Sequence, residues 1–160
     1  MRLPRNRSER GYSFVELLIV SVILLILASA AAPLARVTVQ RQRETELRRA
    51  LREMRVAIDN YKDAVDLGVI AGPDIDPQNQ GYPPDLQTLV DGVEPVDENA
   101  GEVIRFLRRI PIDPMTREAD WGLRSYQDDP DTTRWGGENV YDVYSRARGT
   151  ALDGTRYRDW

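Results

Sequence analysis

The 160-residue chain contains no cysteine and no histidine. The absence of cysteine excludes disulfides, thiolate metal ligands and a cysteine nucleophile. The absence of histidine removes the usual general base and the commonest metal ligand. Most protease, zinc and haem functions are thereby excluded, whereas carboxylate chemistry and metals bound through oxygen remain open. The net charge of −4 gives no indication of nucleic-acid binding. Since nothing selects a pair of carboxylates for acid–base work, we expect a protein that is not an enzyme.

Charge is also missing from Leu17 to Ala35, a stretch of 19 residues near the N-terminus. As a helix this stretch would measure about 28 Å, close to the hydrocarbon thickness of a bilayer. No later segment approaches this length, so the sequence predicts one membrane span. The leader at 1–11 carries four arginines and one glutamate, and the residues after the stretch are also rich in arginine. Charge bias therefore does not determine the orientation of the span.

A secretory signal peptide would also have a basic start and an apolar core, and Ala28-Ser29-Ala30 offers a possible cleavage site. Two features argue against this alternative. Glu16 lies at the start of the apolar run, and the helical pattern continues beyond Arg36.

The segment Gly11-Tyr12-Ser13-Phe14-Val15-Glu16 joins the basic leader to the apolar run. It resembles the processing site of type IV prepilins and type II secretion pseudopilins, although family members usually have Phe in place of Tyr12. The resemblance implies that a prepilin peptidase cuts after Gly11 and that the new amine of Tyr12 is methylated. It also implies a cytoplasmic leader and a periplasmic C-terminal domain. Pro33 falls where the family commonly has a kinking proline, and its kink is either functional or a plain bend.

The position of Glu16 can also be interpreted on physical grounds, apart from this resemblance. A carboxylate in hydrocarbon is costly and is read as functional by default. In the family's filament model, its partner is the processed Tyr12 amine of a neighbouring subunit. The alternative is a side chain that extends to the membrane interface.

The helix is predicted to continue from Tyr12 to Leu67 and to stop at Gly68. An apolar stripe at helical spacing runs along its second half: Leu47, Leu51, Met54, Ile58, Tyr61 and Val65. The stripe covers fewer than three heptads, which favours packing against the chain's own globular part over a coiled coil.

Shorter elements follow in the rest of the chain. We predict a short helix at Pro84–Val90, a helical turn at Val103–Arg109, and strands at Leu123–Gln127 and Val140–Ser145. The intervening segments at 69–83, 93–101 and 128–139 are predicted as loops. The resemblance to pseudopilins implies an α+β fold class, with one long N-terminal helix and a small antiparallel sheet.

The second half also resembles a family, through GYPPDLQTLV, IPIDP and the tail DGTRYRDW. These segments are similar to the major pseudopilin of type II secretion, whereas ordinary pilins more often close their C-terminal loop with a cysteine pair. The resemblance implies a pilin-like fold with a leader at 1–11, a transmembrane and assembly half at 12–35 and a periplasmic domain at 36–160. It further implies a homopolymer that drives protein export, with minor pseudopilins and an inner-membrane assembly platform as partners. A type IV pilin for adhesion, motility or DNA uptake is the alternative, and a membrane-anchored binding module is a third possibility.

Acidic side chains cluster at Asp128, Asp129 and Asp131 and again at Asp153 and Asp159. Oxygen ligands of this kind suit Ca²⁺, and the major pseudopilin family binds calcium in its C-terminal loop. Arg148 stands where that family usually has an aspartate, which would remove a ligand. A calcium site thus remains possible, and the alternative is an acidic loop that is simply solvated. No residue is assigned to a metal or cofactor.

Overall fold

The computed structural model describes residues 12–71, 79–97 and 101–160, and for residues 30–35 it describes the backbone alone. Helix α1 spans Phe14–Asp66 and helix α2 spans Leu86–Asp91. Strands β1 (Trp121–Arg124) and β2 (Asp142–Ser145) form an antiparallel sheet, and a 3-10 turn at Tyr157–Asp159 follows. This confirms the predicted α+β class. The chain divides into two compact units, one up to Val39 and one from Gln40 to Trp160.

Helix α1 ends as the sequence predicts, because Gly68 adopts a left-handed conformation with φ of 67°. Its N–H donates to Val65 O at 2.9 Å, and the N–H of Val69 donates to Ala64 O at 2.9 Å. This pair of bonds is a Schellman motif, which satisfies carbonyls that the last turn would otherwise leave unpaired. The chain then turns so that Ile70 pairs with Pro95.

The core of the second unit lies along the predicted stripe of α1. Leu47, Met54 and Ile58 are fully buried, Leu51 and Tyr61 nearly so, and Val65 is half-buried. They pack in one cluster with residues from the rest of the unit: Ile70, Leu86, Leu89, Leu107, Trp121, Val140, Val143, Ala151 and Tyr157. The prediction that the stripe packs on the chain's own globular part is confirmed.

Helix α2 is short and is held by caps at both ends. Asp85 accepts hydrogen bonds from the Thr88 N–H at 2.7 Å and from its hydroxyl at 2.9 Å. At the other end the Gly92 N–H donates to Thr88 O at 2.9 Å. These caps confirm the predicted helix and place Leu86 and Leu89 in the core.

The segment Val103–Arg109 forms no helical turn and pairs with Val93 through a bridge at Ile104, so the predicted helical turn is wrong. The Ile104 N–H donates to Val93 O at 2.9 Å, and the N–H groups of Phe106 and Leu107 both donate to Leu89 O. These long-range partners replace the local bonds that a helix would make. The segment approaches so closely that a Cβ on Gly92 would lie 2.6 Å from Ile104 O.

Strand β2 confirms the predicted strand at Val140–Ser145, although its pairing starts at Asp142. Strand β1 begins two residues before the predicted Leu123 and ends at Arg124. The register pairs Trp121 with Ser145 and Arg124 with Asp142. After Arg124 the backbone turns, because the Ser125 N–H donates to the Asp128 carboxylate at 2.7 Å.

Candidate functional site

The predicted processing site lies directly before α1. Gly11 is outside the described residues, whereas Tyr12 and Ser13 precede the first helical residue, Phe14. The Ser13 carbonyl accepts the Leu17 N–H at 3.1 Å and so joins the first turn. Tyr12 is 77% exposed. Cleavage after Gly11 and methylation of Tyr12 stay predictions.

Glu16 lies in the first turn of α1 with its side chain exposed. A negative charge at a helix N-terminus interacts favourably with the helix dipole. Within the sequence from Tyr12 to Ala35, Glu16 is the only charged residue. The structure therefore presents one carboxylate at the start of an otherwise uncharged helical segment.

The segment Phe14–Leu27 around Glu16 exposes its apolar side chains on every side. Those that are 46–79% exposed are Phe14, Val15, Leu17, Leu18, Ile19, Val20, Val22, Ile23, Leu24, Leu25, Ile26 and Leu27. The two serines bond within the helix, Ser21 to Leu17 O at 2.8 Å and Ser29 to Ile26 O at 2.7 Å. A continuous apolar surface of this extent marks a site that contacts lipid or another protein.

Across the described residues, no helix has the length and apolarity needed to cross a membrane. The predicted span Leu17–Ala35 includes residues 30–35, whose side chains lie outside the described part. The predicted kink at Pro33 also falls there.

In the second unit, a buried carboxylate joins α1 to the C-terminal segment. Glu44 Oε1 accepts hydrogen bonds from the Leu152 N–H at 2.9 Å, from the Tyr157 hydroxyl at 3.0 Å and from Gln40 Nε2 at 3.0 Å. Burial is the main cause that raises the pKa of Tyr157 above its usual value. Sequence reasoning missed this role of Glu44. The signal was its position three residues before Leu47, which places it on the buried stripe.

Arg55 makes a second connection between α1 and the end of the chain. Its Nε donates to Asp142 Oδ1 at 2.6 Å, and its Nη2 donates to the backbone oxygens of Val143 at 3.1 Å and Trp160 at 2.8 Å. One guanidinium thus holds β2 and the C-terminal turn against the same helix face. Sequence reasoning missed this role of Arg55.

Three of the five acidic residues considered for calcium, Asp128, Asp153 and Asp159, have hydrogen-bond or ion-pair partners. Asp128 accepts backbone N–H groups of Ser125 and Gly136. Asp153 accepts from the Thr155 hydroxyl and N–H and forms an ion pair with Arg48 at 3.0 Å. These Thr155 bonds, ahead of the charge of Arg48, lower the pKa of Asp153. Over residues 12–71, 79–97 and 101–160, no group of three or more acidic side chains is arranged to hold a metal ion.

Comparison with known proteins bears on the N-terminal segment. Residues 6–32 match a family model described as the prokaryotic N-terminal methylation motif. No curated protein matches the chain, and no solved structure matches it either.

The matched residues include Gly11, Tyr12 and Glu16, and they cover the whole exposed apolar segment from Phe14 to Leu27. The match supports a type IV pilin-like protein. The family that it indicates is structural and is not a known enzyme family. In general, the motif implies processing by prepilin peptidase, membrane anchoring and assembly into a filament outside the cytoplasm.

Proposed function

We propose that the chain is a structural subunit of a type II secretion pseudopilus. In this proposal prepilin peptidase removes residues 1–11, residues 12–35 anchor the subunit in the bacterial inner membrane, and residues 36–160 form the periplasmic domain. Subunits then leave the bilayer and stack through their apolar helices into a periplasmic filament. Minor pseudopilins and an inner-membrane platform assist assembly, and the growing filament drives protein export.

The observation that carries the proposal is the combination of Glu16 with the exposed apolar helix around it. A simple anchor has no use for a carboxylate at this place, since an ionised group in hydrocarbon needs a partner of opposite charge. The free amine created at Tyr12 would supply that partner from a neighbouring subunit. The methylation-motif match over residues 6–32 supports the same interpretation.

The choice of a pseudopilin over a type IV pilin rests on the second unit. Ordinary pilins more often close the C-terminal loop with a cysteine pair, and this chain has no cysteine. Hydrogen bonds from Leu152 and Tyr157 to Glu44 hold the loop instead. The resemblance of the IPIDP segment also favours the pseudopilin. Its Asp113 is fully buried and accepts hydrogen bonds from the Ser145 hydroxyl and the Met115 N–H.

The proposal is tested by replacing Glu16 with Ala in cells that express the assembly machinery. We expect the Glu16→Ala protein to reach the membrane fraction in normal amount and to yield few or no filaments. Glu46→Ala is the matched control, because Glu46 is an exposed glutamate of the same helix that lies in the second unit. This control should assemble normally.

Normal filament yield from Glu16→Ala would contradict the assembly role. The location of the wild-type filament separates the two pilin-like functions. Filaments confined to the periplasm, together with neighbouring genes for a secretion ATPase and a secretin, would support the pseudopilus. Long filaments on the cell surface would support a type IV pilin.

A further inference from the structure

Two Arg-x-Arg segments meet near the end of the chain. Arg146-Ala147-Arg148 follows β2, and Arg156-Tyr157-Arg158 enters the 3-10 turn. An antiparallel bridge between Thr150 and Arg156 brings the two segments side by side. The Tyr157 N–H also donates to Gly149 O at 3.3 Å.

In each of these two segments, exposed arginines flank a central residue that packs against the core. Tyr157 is buried and Ala147 is half-buried, whereas the four arginines beside them are exposed. Arg156 has an extended backbone, and Tyr157 begins the 3-10 turn with its side chain in the core cluster. The central residue of each segment therefore packs inward, and the arginines of both segments face the same outer region.

The four arginines line a single open cavity of about 630 Å³. The other described lining residues are Thr133, Tyr144 and Ala147, so none of the described residues of this wall is acidic. A neighbouring cavity of about 440 Å³ shares Arg156 and Arg158 and also includes Asp131 and Asp159. The first cavity is thus positively charged in a chain whose net charge is −4.

Nearby carboxylates neutralise only part of this charge. Arg146 pairs with Asp120 at 3.0 Å. Arg156 pairs with Asp159 at 2.8 Å, and Arg158 lies 3.6 Å from the same carboxylate. Arg148 has no ion pair among the residues that the structure describes. Four guanidiniums therefore share two carboxylates, and the excess positive charge lies at the cavity.

We propose that this arginine cavity binds a phosphate group. A guanidinium presents a planar set of N–H donors that matches two phosphate oxygens at once, and arginine stays charged at all physiological pH values. A phosphate dianion would offset the excess positive charge that the two carboxylates leave unneutralised. Thr133 also lines the cavity, and its side chain carries a hydroxyl that can donate. The volume also leaves room for a small organic group attached to the phosphate.

The inference is independent of the assembly function, since it uses only residues of the second unit. The phosphate could come from a soluble phosphate or phosphomonoester, or from a lipid headgroup. Either source would present a phosphate group to the cavity. A monoester, however, carries more negative charge than a headgroup diester. We expect the dianion to bind more tightly, because four arginines line the cavity.

The test is a ³¹P NMR titration of the purified full-length chain in a phosphate-free nonionic detergent, at constant ionic strength set with sodium chloride. Inorganic phosphate should show saturable broadening or shift. Arg148→Ser should weaken the affinity, and Arg148→Ser with Arg158→Ser should weaken it at least tenfold. Arg109→Ser is the matched control, because Arg109 is exposed and lines neither cavity. It should bind like the wild type.

Two further probes identify the source of the phosphate. Glycerol 3-phosphate represents a soluble monoester, and glycerophosphoglycerol represents a lipid headgroup diester. Tighter binding of the monoester supports a soluble ligand, whereas equal or tighter binding of the diester supports a headgroup at the same site. The proposal is overturned if none of the three probes binds saturably, or if the double variant binds as well as Arg109→Ser.

Discussion

The hydroxyl of Tyr157 donates a hydrogen bond to Glu44 Oε1 at 3.0 Å, although 113 positions separate the two residues in the chain. Tyr157 also packs edge-to-face against Trp160, with 5.3 Å between ring centroids. The guanidinium of Arg48 lies over the Trp160 ring at 4.2 Å. The end of the chain is thereby held on α1 without any covalent link.

Removal of the Tyr157 hydroxyl should weaken this attachment. Tyr157→Phe keeps the ring in the core and deletes the hydroxyl that donates to the buried Glu44 carboxylate and accepts from Gln40 Nε2. We expect the free energy of unfolding to fall by about 1–2 kcal/mol, measured by chemical denaturation. Tyr141→Phe is the control, because that ring is 46% exposed and the change should cost less than about 0.5 kcal/mol. Equal losses in both variants would show that the bond to Glu44 adds no stability.

The buried stripe of α1 gives a larger predicted effect. A fragment from Arg36 to Trp160 contains the whole core cluster and should fold on its own. In this fragment Leu51→Ala or Ile58→Ala should lower the free energy of unfolding by about 2–5 kcal/mol, because each leaves a cavity in a packed core. Val56→Ala, on the exposed face of the same helix, should have little effect. An unchanged thermal midpoint for Leu51→Ala would contradict the packing described above.

Asp153 should make stability depend on pH in the acid range. Hydrogen bonds from Thr155 and the charge of Arg48 lower its pKa below the ordinary value of 3.8. The stabilisation is therefore complete above that value and is lost as pH falls through the lower pKa of the folded state. Asp153→Asn should be less stable than wild type at pH 7, and thermal midpoints should converge in stronger acid. A difference that stays constant with pH would contradict this assignment.

Calcium should have little effect on the same fragment. The Asp153 carboxylate is already engaged with Thr155 and Arg48, and a Ca²⁺ site requires six to eight oxygen ligands. Thermal midpoints should therefore agree in millimolar calcium and in chelator. A rise of several degrees with calcium that disappears in Asp153→Ala would show that a site has been retained, since a ligand bound only to the folded state raises its stability.

Local signals in the sequence were enough to predict the main helix, its stop at Gly68 and its buried stripe, because each depends on residues close together in the chain. Val103–Arg109 was predicted wrongly because its N–H groups bond to Leu89 and Val93, which local patterns do not reveal. The start of β1 was missed for a similar reason. Gly122 is a poor strand former on its own, yet it lies against the ring of Tyr144, where any side chain would clash.

The candidate sites also differ in whether their residues are close together in the sequence. The processing segment is continuous in sequence, so Gly11, Tyr12 and Glu16 were identified from their order alone. The attachment at Glu44 and the arginine cavity each join residues from distant segments. Arg148 was first considered only as a residue that would oppose calcium, and its position beside Arg158 follows from the bridge between Thr150 and Arg156.

The most direct measurement is the intact mass of the protein extracted from membranes of cells that contain prepilin peptidase. We predict a chain that begins at Tyr12 and carries one added methyl group, as the motif over residues 6–32 implies. The same preparation from cells without the peptidase should retain residues 1–11. A mature chain that begins near Ala31 would indicate an ordinary signal peptide and would contradict the proposal that this protein is a pilin-like filament subunit.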